Sequence, residues 1–316
     1  MNFLLPVLAA TIYLAYTSWL DIKTREVDDK VTDGFIIAAF VYQLAAGFYY
    51  GDMHIAVYAA VAGVALFIFG YIMFMMGQWG GADVKILAAL GIMFGGLTWG
   101  GQYFLLDYFI NVFIVAFFYS IAYSVGISLG NKDVKSRFRL SVSAGAKEIA
   151  GLLALVAGML LAAGLYINYS LGVWGAAALM LMYPLLALAA LVPMFWVLVK
   201  FVKVVEDVCF RLPARAKQLV EFDLLTVDIL QEGKKLLKVP EKESTKARRK
   251  RAAKVVYDSS DPNGLTKDQV AEINKLVESG KLQDGFIVKW GLPFVPVFLI
   301  AIFATLIFGN MLYLFI

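Results

Sequence analysis

Two short stretches, LDIKTREVDD at residues 20–29 and GGADVKILAALG at residues 80–91, each set an aspartate directly beside a long apolar run. Two carboxylates that meet are the minimum apparatus for activating water against a peptide carbonyl. One takes a proton from the water while the other, protonated, donates to the carbonyl oxygen. Close like charges push the two pKa values apart, which divides the acid and base roles, and the pair titrates as a unit. Asp21 and Asp83 are therefore the candidates for chemistry. Other chemistries have few residues to draw on. The single cysteine, Cys209, excludes a disulfide framework and a multi-cysteine zinc site, and the single histidine, His54, cannot build a metal site alone. No glycine loop followed by a lysine and a hydroxyl residue is present to cradle phosphates, and no cofactor or metal is expected.

The elements that must position these aspartates are set by the bilayer. The chain has 316 residues, 61% hydrophobic and 16% charged, with a mean hydropathy of +0.76. Soluble domains carry roughly 25% charged residues, so the class is an all-α polytopic membrane protein. A bilayer core requires about 20 apolar residues per helix, and the runs 3–20, 34–50, 55–76, 84–100, 104–129, 148–168, 174–202 and 291–315 predict about eight spans. The first run has no preceding basic residue and no small-residue cleavage signature, so it reads as a retained span. Pro184 and Pro193 are expected to kink the seventh run.

Charge placement orients the chain. All 28 Lys and Arg residues fall in the loops 21–33, 77–83, 130–147 and 203–290 or on the helix ends beside them. The positive-inside rule puts those loops in the cytoplasm and both termini outside, in a multi-pass protein of the plasma membrane. Asp21, at the end of the first span, and Asp83, at the start of the fourth, then share the inner boundary. His54 falls on the outer side, so it cannot serve a serine or cysteine nucleophile there.

The chain divides into a membrane domain at 1–204, a cytoplasmic insertion at 205–289 and a final span at 290–316. Within the insertion, Thr266 and Gln269 form a capping-box start, with Val270, Ile273 and Val277 at helical spacing and Gly280 as the stop. FDLLTVDIL, residues 222–230, alternates poorly and suits strand or helix. The basic run KARRKRAAK, residues 246–254, suits a solvated patch or one that faces membrane lipids, where anionic headgroups reward each charge by about 1 kcal/mol. No aromatic residues interleave it, and nucleic acid is not an expected partner.

Spacing alone leaves plainer roles open. Asp83 can simply cap the helix it begins, complementing the dipole by up to about 1 kcal/mol. Asp21 can be an ordinary interfacial charge, one of five acidic residues in 21–33. A proton- or cation-coupled transporter would use the same aspartates, but it calls for ionisable residues near the bilayer midplane and inverted repeats, and neither is evident. A membrane scaffold would account for the insertion alone.

The local sequence favours the chemical reading. GGADVKILAALG resembles the second active-site motif of the type IV prepilin peptidases, the Gly-x-Gly-Asp intramembrane aspartyl proteases, in which the aspartate precedes x-Lys and a small, apolar helix start. LDIKTREVDD resembles the first motif of that family, and GLPFVPVFLIAIF, residues 291–303, resembles its proline-containing final helix start. By this resemblance Asp21 and Asp83 are the catalytic pair. The chain departs from the pattern at Ala82, where the family has glycine, and at Asp28-Asp29, where it has Pro-Asn. It lacks the four-cysteine loop of many bacterial members, so it looks like the archaeal preflagellin and prepilin peptidase branch, with no N-methyltransferase activity expected. The implied partners are pilin-like or preflagellin (prearchaellin) precursors, whose short basic leader is cut at the inner membrane face.

Around the pair, Glu26, Asp28, Asp29 and Asp33 can attract the basic leader or be solvated loop charges. Gly77, Gly80 and Gly81 can let the loop close over the site or form a plain turn. Lys85 can anchor its helix at the interface or tune the pair. The resemblance gives Pro293 and Pro296 a substrate-gating role, beside the simpler one of starting the last helix.

Overall fold

The computed structural model describes residues 3–99, 101–172, 176–232, 235–240, 252 and 254–314. The chain is α-rich and separates into two compact units, Met1–Ser120 with Leu212–Ile316, and Ile121–Arg211.

The first unit begins with α1 (Leu4–Thr24), α2 (Asp29–Tyr50), α3 (His54–Met75) and α4 (Gly81–Phe94). Their boundaries follow from local chemistry. α1 stops where Arg25 takes a left-handed conformation (φ 62°) and returns its N–H to the Asp21 carbonyl at 2.9 Å. Asp28 is the N-cap of α2 and accepts the Lys30 N–H at 2.8 Å. α2 ends at Gly51, whose φ of 65° costs a glycine nothing. A two-residue hairpin, β1 (Thr98–Trp99) and β2 (Gln102–Tyr103), leads to α5 (Phe104–Ser128). The unit closes with α10 (Val295–Phe308), which packs chiefly on α1. Leu14, Ile86, Leu87, Leu90, Phe94 and Phe298 lie fully buried in the core these helices share.

Residues of the expected insertion also belong to this unit. β3 (Arg211–Ala214), β8 (Phe286–Lys289) and β4 (Leu224–Leu225) form one sheet, with β8 in the middle. β6 (Lys235–Pro240), β5 (Val227–Glu232) and β7 (Lys254–Tyr257) form a second, with β5 in the middle and antiparallel to both neighbours. FDLLTVDIL is thus strand. Its alternation is poor because the pairing of β5 with β7 slips between Ile229 and Leu230, and both of these successive residues are fully buried. The expected helix is α9 (Lys267–Glu278): the Gln269 side chain accepts the Thr266 N–H at 2.9 Å, the Thr266 hydroxyl accepts the Gln269 N–H at 3.3 Å, and Gly280 beyond it has φ 70°. Leu225, Ile229, Tyr257, Ile273 and Phe286 make a separate small core. Of the basic run 246–254, only Ala252 and Lys254 are among the described residues.

The second unit holds α6 (Lys132–Ala144), α7 (Ala146–Leu171) and α8 (Ala176–Cys209). α6 is capped by Asn131 and packs on α8 through a Phe138–Phe201 edge contact. Glu148 on α7 pairs with Lys200 on α8 at 2.7 Å. Pro184 and Pro193 both lie inside α8, a single helix of 34 residues.

Six helices among the described residues are long and apolar enough to cross a membrane: Leu4–Thr24, Asp29–Tyr50, His54–Met75, Phe104–Ser128, Ala146–Ser170 and Met180–Cys209. The chain is a multi-pass membrane protein. The two other expected spans, 84–100 and 291–315, correspond to α4 and α10, each of 14 residues. At 1.5 Å per residue such a helix reaches about 21 Å, short of the roughly 30 Å hydrocarbon core.

Candidate active site

Asp21 lies in the last turn of α1 and Asp83 in the first turn of α4, and each is only 8% exposed. A carboxylate so deeply buried requires hydrogen-bond partners. Asp21 finds its partner across the fold: its Oδ2 accepts the N–H of Val295, the first residue of α10, at 2.9 Å. That N–H belongs to the first turn of a helix, where backbone donors have no intrahelical acceptor. Asp83 is satisfied locally, its Oδ2 accepting the Gly80 N–H at 2.9 Å. Both carboxylates thus sit at the positive end of a helix, Asp83 at its own and Asp21 at that of α10, where negative charge is favoured by about 0.3–1 kcal/mol. α1 packs against α4. The two aspartates are therefore buried on packed helices, each with one oxygen held by a backbone donor.

Small residues set the depth of α4. A Cβ on Gly91 would stand 2.9 Å from the Ala62 carbonyl oxygen of α3, and one on Gly95 2.8 Å from the Ala59 Cα. Near the start of α4, a Cβ on Gly70 of α3 would lie 3.2 Å from the Val84 Cα. The backbones of α3 and α4 approach this closely only because side chains are missing at the crossing. GIMFG, residues 91–95, is a G-x-x-x-G helix-packing signature legible in the sequence. At the other end of α4, the buried Gln43 of α2 donates to the carbonyls of Ile92 (2.9 Å) and Met93 (2.7 Å), two acceptors that the helix end leaves free.

The remaining sequence candidates have definite places. Lys85 bridges two carboxylates of α2, Asp29 at 2.8 Å and Asp33 at 2.9 Å, and so ties α4 to α2. Asp28 caps α2, and Glu26 is exposed. Gly77 has φ 69°, a conformation that favours glycine, whereas Gly80 is extended (φ −80°, ψ 161°) and contributes its N–H to Asp83. Trp79, between these glycines, touches Phe69 of α3 and Phe294 and Phe298 at the start of α10. Pro293 and Pro296 are buried, and Pro296 occupies the second position of α10, where a missing N–H costs nothing. Arg25 escaped the sequence reading, although it neighbours Asp21 by one helical turn. Its Nη1 donates to the Gly291 carbonyl, and its guanidinium lies over the Trp290 ring, 5.8 Å from the centroid. Among the described residues no group of three or more His, Cys, Asp or Glu side chains is arranged to hold a metal.

Comparison with known proteins places this site in context. Residues 8–125, which include both aspartates, match the type IV leader peptidase family. A preflagellin peptidase of Methanocaldococcus jannaschii is 30% identical over 86 residues, covering 27% of this chain and 36% of that protein. The chain therefore matches only about a third of that relative's length. No solved structure matches. The likeness to the type IV leader peptidase family thus lies in the stretch of chain that carries Asp21 and Asp83.

Proposed function

We propose that the protein is a membrane aspartyl endopeptidase that removes the short basic leader from pilin-like or preflagellin precursors, with Asp21 and Asp83 as the dyad. The reading is supported most by one observation: two buried carboxylates on packed helices, each held by a backbone donor, within the segment that matches the family. In the reaction, one carboxylate of the dyad takes a proton from water as its oxygen adds to the scissile carbonyl. The other, protonated, donates to that carbonyl oxygen and leaves a neutral tetrahedral diol. Its collapse breaks the C–N bond as a proton passes to the leaving amine, so the dyad ends with the single proton it began with. The pair shares that proton, and neither role belongs to one residue alone. The hydrogen bonds from Val295 and Gly80 occupy one oxygen of each carboxylate and fix the directions of the others.

In this reading residues 1–204 are the membrane catalytic domain, 205–289 a cytoplasmic insertion and 290–316 a closing segment that carries the short α10, with the basic loops facing the cytoplasm. The precursor's hydrophobic helix lies in the bilayer while its leader stays at the inner face. Asp29 and Asp33, 72% and 53% exposed at their side chains even while paired with Lys85, remain open to the leader's basic residues, as does Glu26. Gly80 and Gly81 leave the loop before α4 free of side-chain obstruction at the dyad. No methyl transfer is part of this activity.

The test uses full-length protein in liposomes with a preflagellin-like precursor. Wild type releases the leader, whereas Asp21→Asn and Asp83→Asn each retain the fold and leave the precursor uncut. Near-normal cleavage by either variant sinks the dyad. Serine- and cysteine-directed reagents and metal chelators leave cleavage intact.

A further inference from the structure

The insertion is attached to the chain next to Asp21. β8, the middle strand of its first sheet, ends at Lys289, and only Trp290 to Phe294 separate it from α10, whose first N–H holds Asp21. Two contacts clasp this linker to the end of α1. Asp21 holds Val295, and one turn further on Arg25 holds Gly291, with Trp290 under its guanidinium. The two pairs are four residues apart on each side, so the linker cannot shift along α1 without breaking both. Arg25 also carries backbone strain, since a φ of 62° disfavours any residue with a Cβ. Such outliers persist where surrounding structure over-determines them.

We propose that Arg25 is a positioning residue that couples the insertion to the dyad. By pinning Trp290 and Gly291 it holds the start of α10 in register, so that the Val295 N–H keeps one oxygen of Asp21 and aims the other at Asp83. The insertion is thereby a brace for Asp21, and a pull on β8 reaches the carboxylate through five residues. This inference rests on the dyad reading and gives the insertion a part in it.

Arg25→Gly is the first perturbation, because glycine accepts a φ of 62° without strain while the whole side chain, with its guanidinium and charge, is lost. In liposomes with the preflagellin-like precursor, Arg25→Gly lowers kcat by about tenfold or more and leaves KM within about twofold, as expected for misalignment of a group that does not bind substrate. Amide exchange at Val295, Val297 and Phe298 speeds up, a readout independent of activity. Trp290→Ala gives the same pattern in weaker form, and the double variant is no worse than Arg25→Gly, because both break one clasp. Arg25→Lys, which retains the charge without the planar fork, recovers part of the rate. Unchanged kcat, a rise in KM alone, or additive losses in the double variant each overturn the coupling. Should Arg25→Gly fail to fold, Trp290→Ala and Arg25→Lys make the same test. An Asp21→Asn variant run alongside separates the two readings: full cleavage by it refutes the dyad, whereas its inactivity with an unaffected Arg25→Gly refutes only the clasp.

Discussion

Replacing Gly91 by alanine adds a single methyl group at the crossing of α3 and α4. That methyl would lie 2.9 Å from the Ala62 carbonyl oxygen and 3.1 Å from both the Gly63 Cα and the Leu66 Cδ1. Leu66 can yield by rotating, but the other two are backbone atoms of α3, so the helices must separate. Reaching an ordinary contact of about 3.4 Å requires a shift of roughly half an ångström. Overpacking of this kind costs about 1–3 kcal/mol. Alanine's better helix propensity returns about 1 kcal/mol, so the net loss is about 0–2 kcal/mol. The larger effect falls on the chemistry. α4 is a short rigid rod with Asp83 two turns before Gly91, and it carries the shift to the dyad. A misplacement of about 1 Å costs about 100-fold in rate, so half of that lowers kcat by roughly tenfold. The assay is precursor cleavage in liposomes beside denaturation in detergent. Gly126→Ala, on α5 with nothing within 4 Å of its added Cβ, serves as the control and loses neither rate nor stability. If Gly91→Ala cleaves as fast as Gly126→Ala, close packing at α3 is not what holds Asp83 in place.

Two further perturbations separate anchoring from chemistry. Lys85→Met removes a lysine whose partners Asp29 and Asp33 are 72% and 53% exposed, so the stability loss is about 1 kcal/mol or less and shrinks at high salt. Cleavage falls by less than about tenfold in the same variant, and a loss of 100-fold or more with the fold intact would assign Lys85 to the reaction. In the insertion, hydrogen bonds from the Ala216 and Gly285 N–H groups hold the Asp284 carboxyl below the usual carboxylate range. Its stabilising contribution is therefore complete at neutral pH, above the unfolded-state value, and is lost as pH falls through the lower folded value. Acid unfolding followed by circular dichroism shows this as a steeper loss for wild type than for Asp284→Asn; equal slopes refute it.

Much of this protein is legible one segment at a time. Apolar length and the segregation of Lys and Arg depend on the bilayer and on neighbouring residues, and they locate the membrane helices and the two aspartates. The start of α9 is equally local, since Thr266 and Gln269 cap each other across three residues. Even the family resemblance rests on contiguous stretches around Asp21 and Asp83. Tertiary structure decided what those aspartates touch. Nothing near Asp21 in sequence announces that its carboxylate is held by Val295, 274 residues away, or that Arg25 turns back to Gly291. The strands of FDLLTVDIL were hidden by a slip in pairing that exists only beside β7. The 14-residue lengths of α4 and α10 were hidden because apolar sequence continues past the points where each helix ends. Local patterns state which residues must leave water and which backbone groups need caps. Which distant donor meets which buried acceptor depends on how closely the helices approach, and that distance is set where Gly91 and Gly95 leave room for α3.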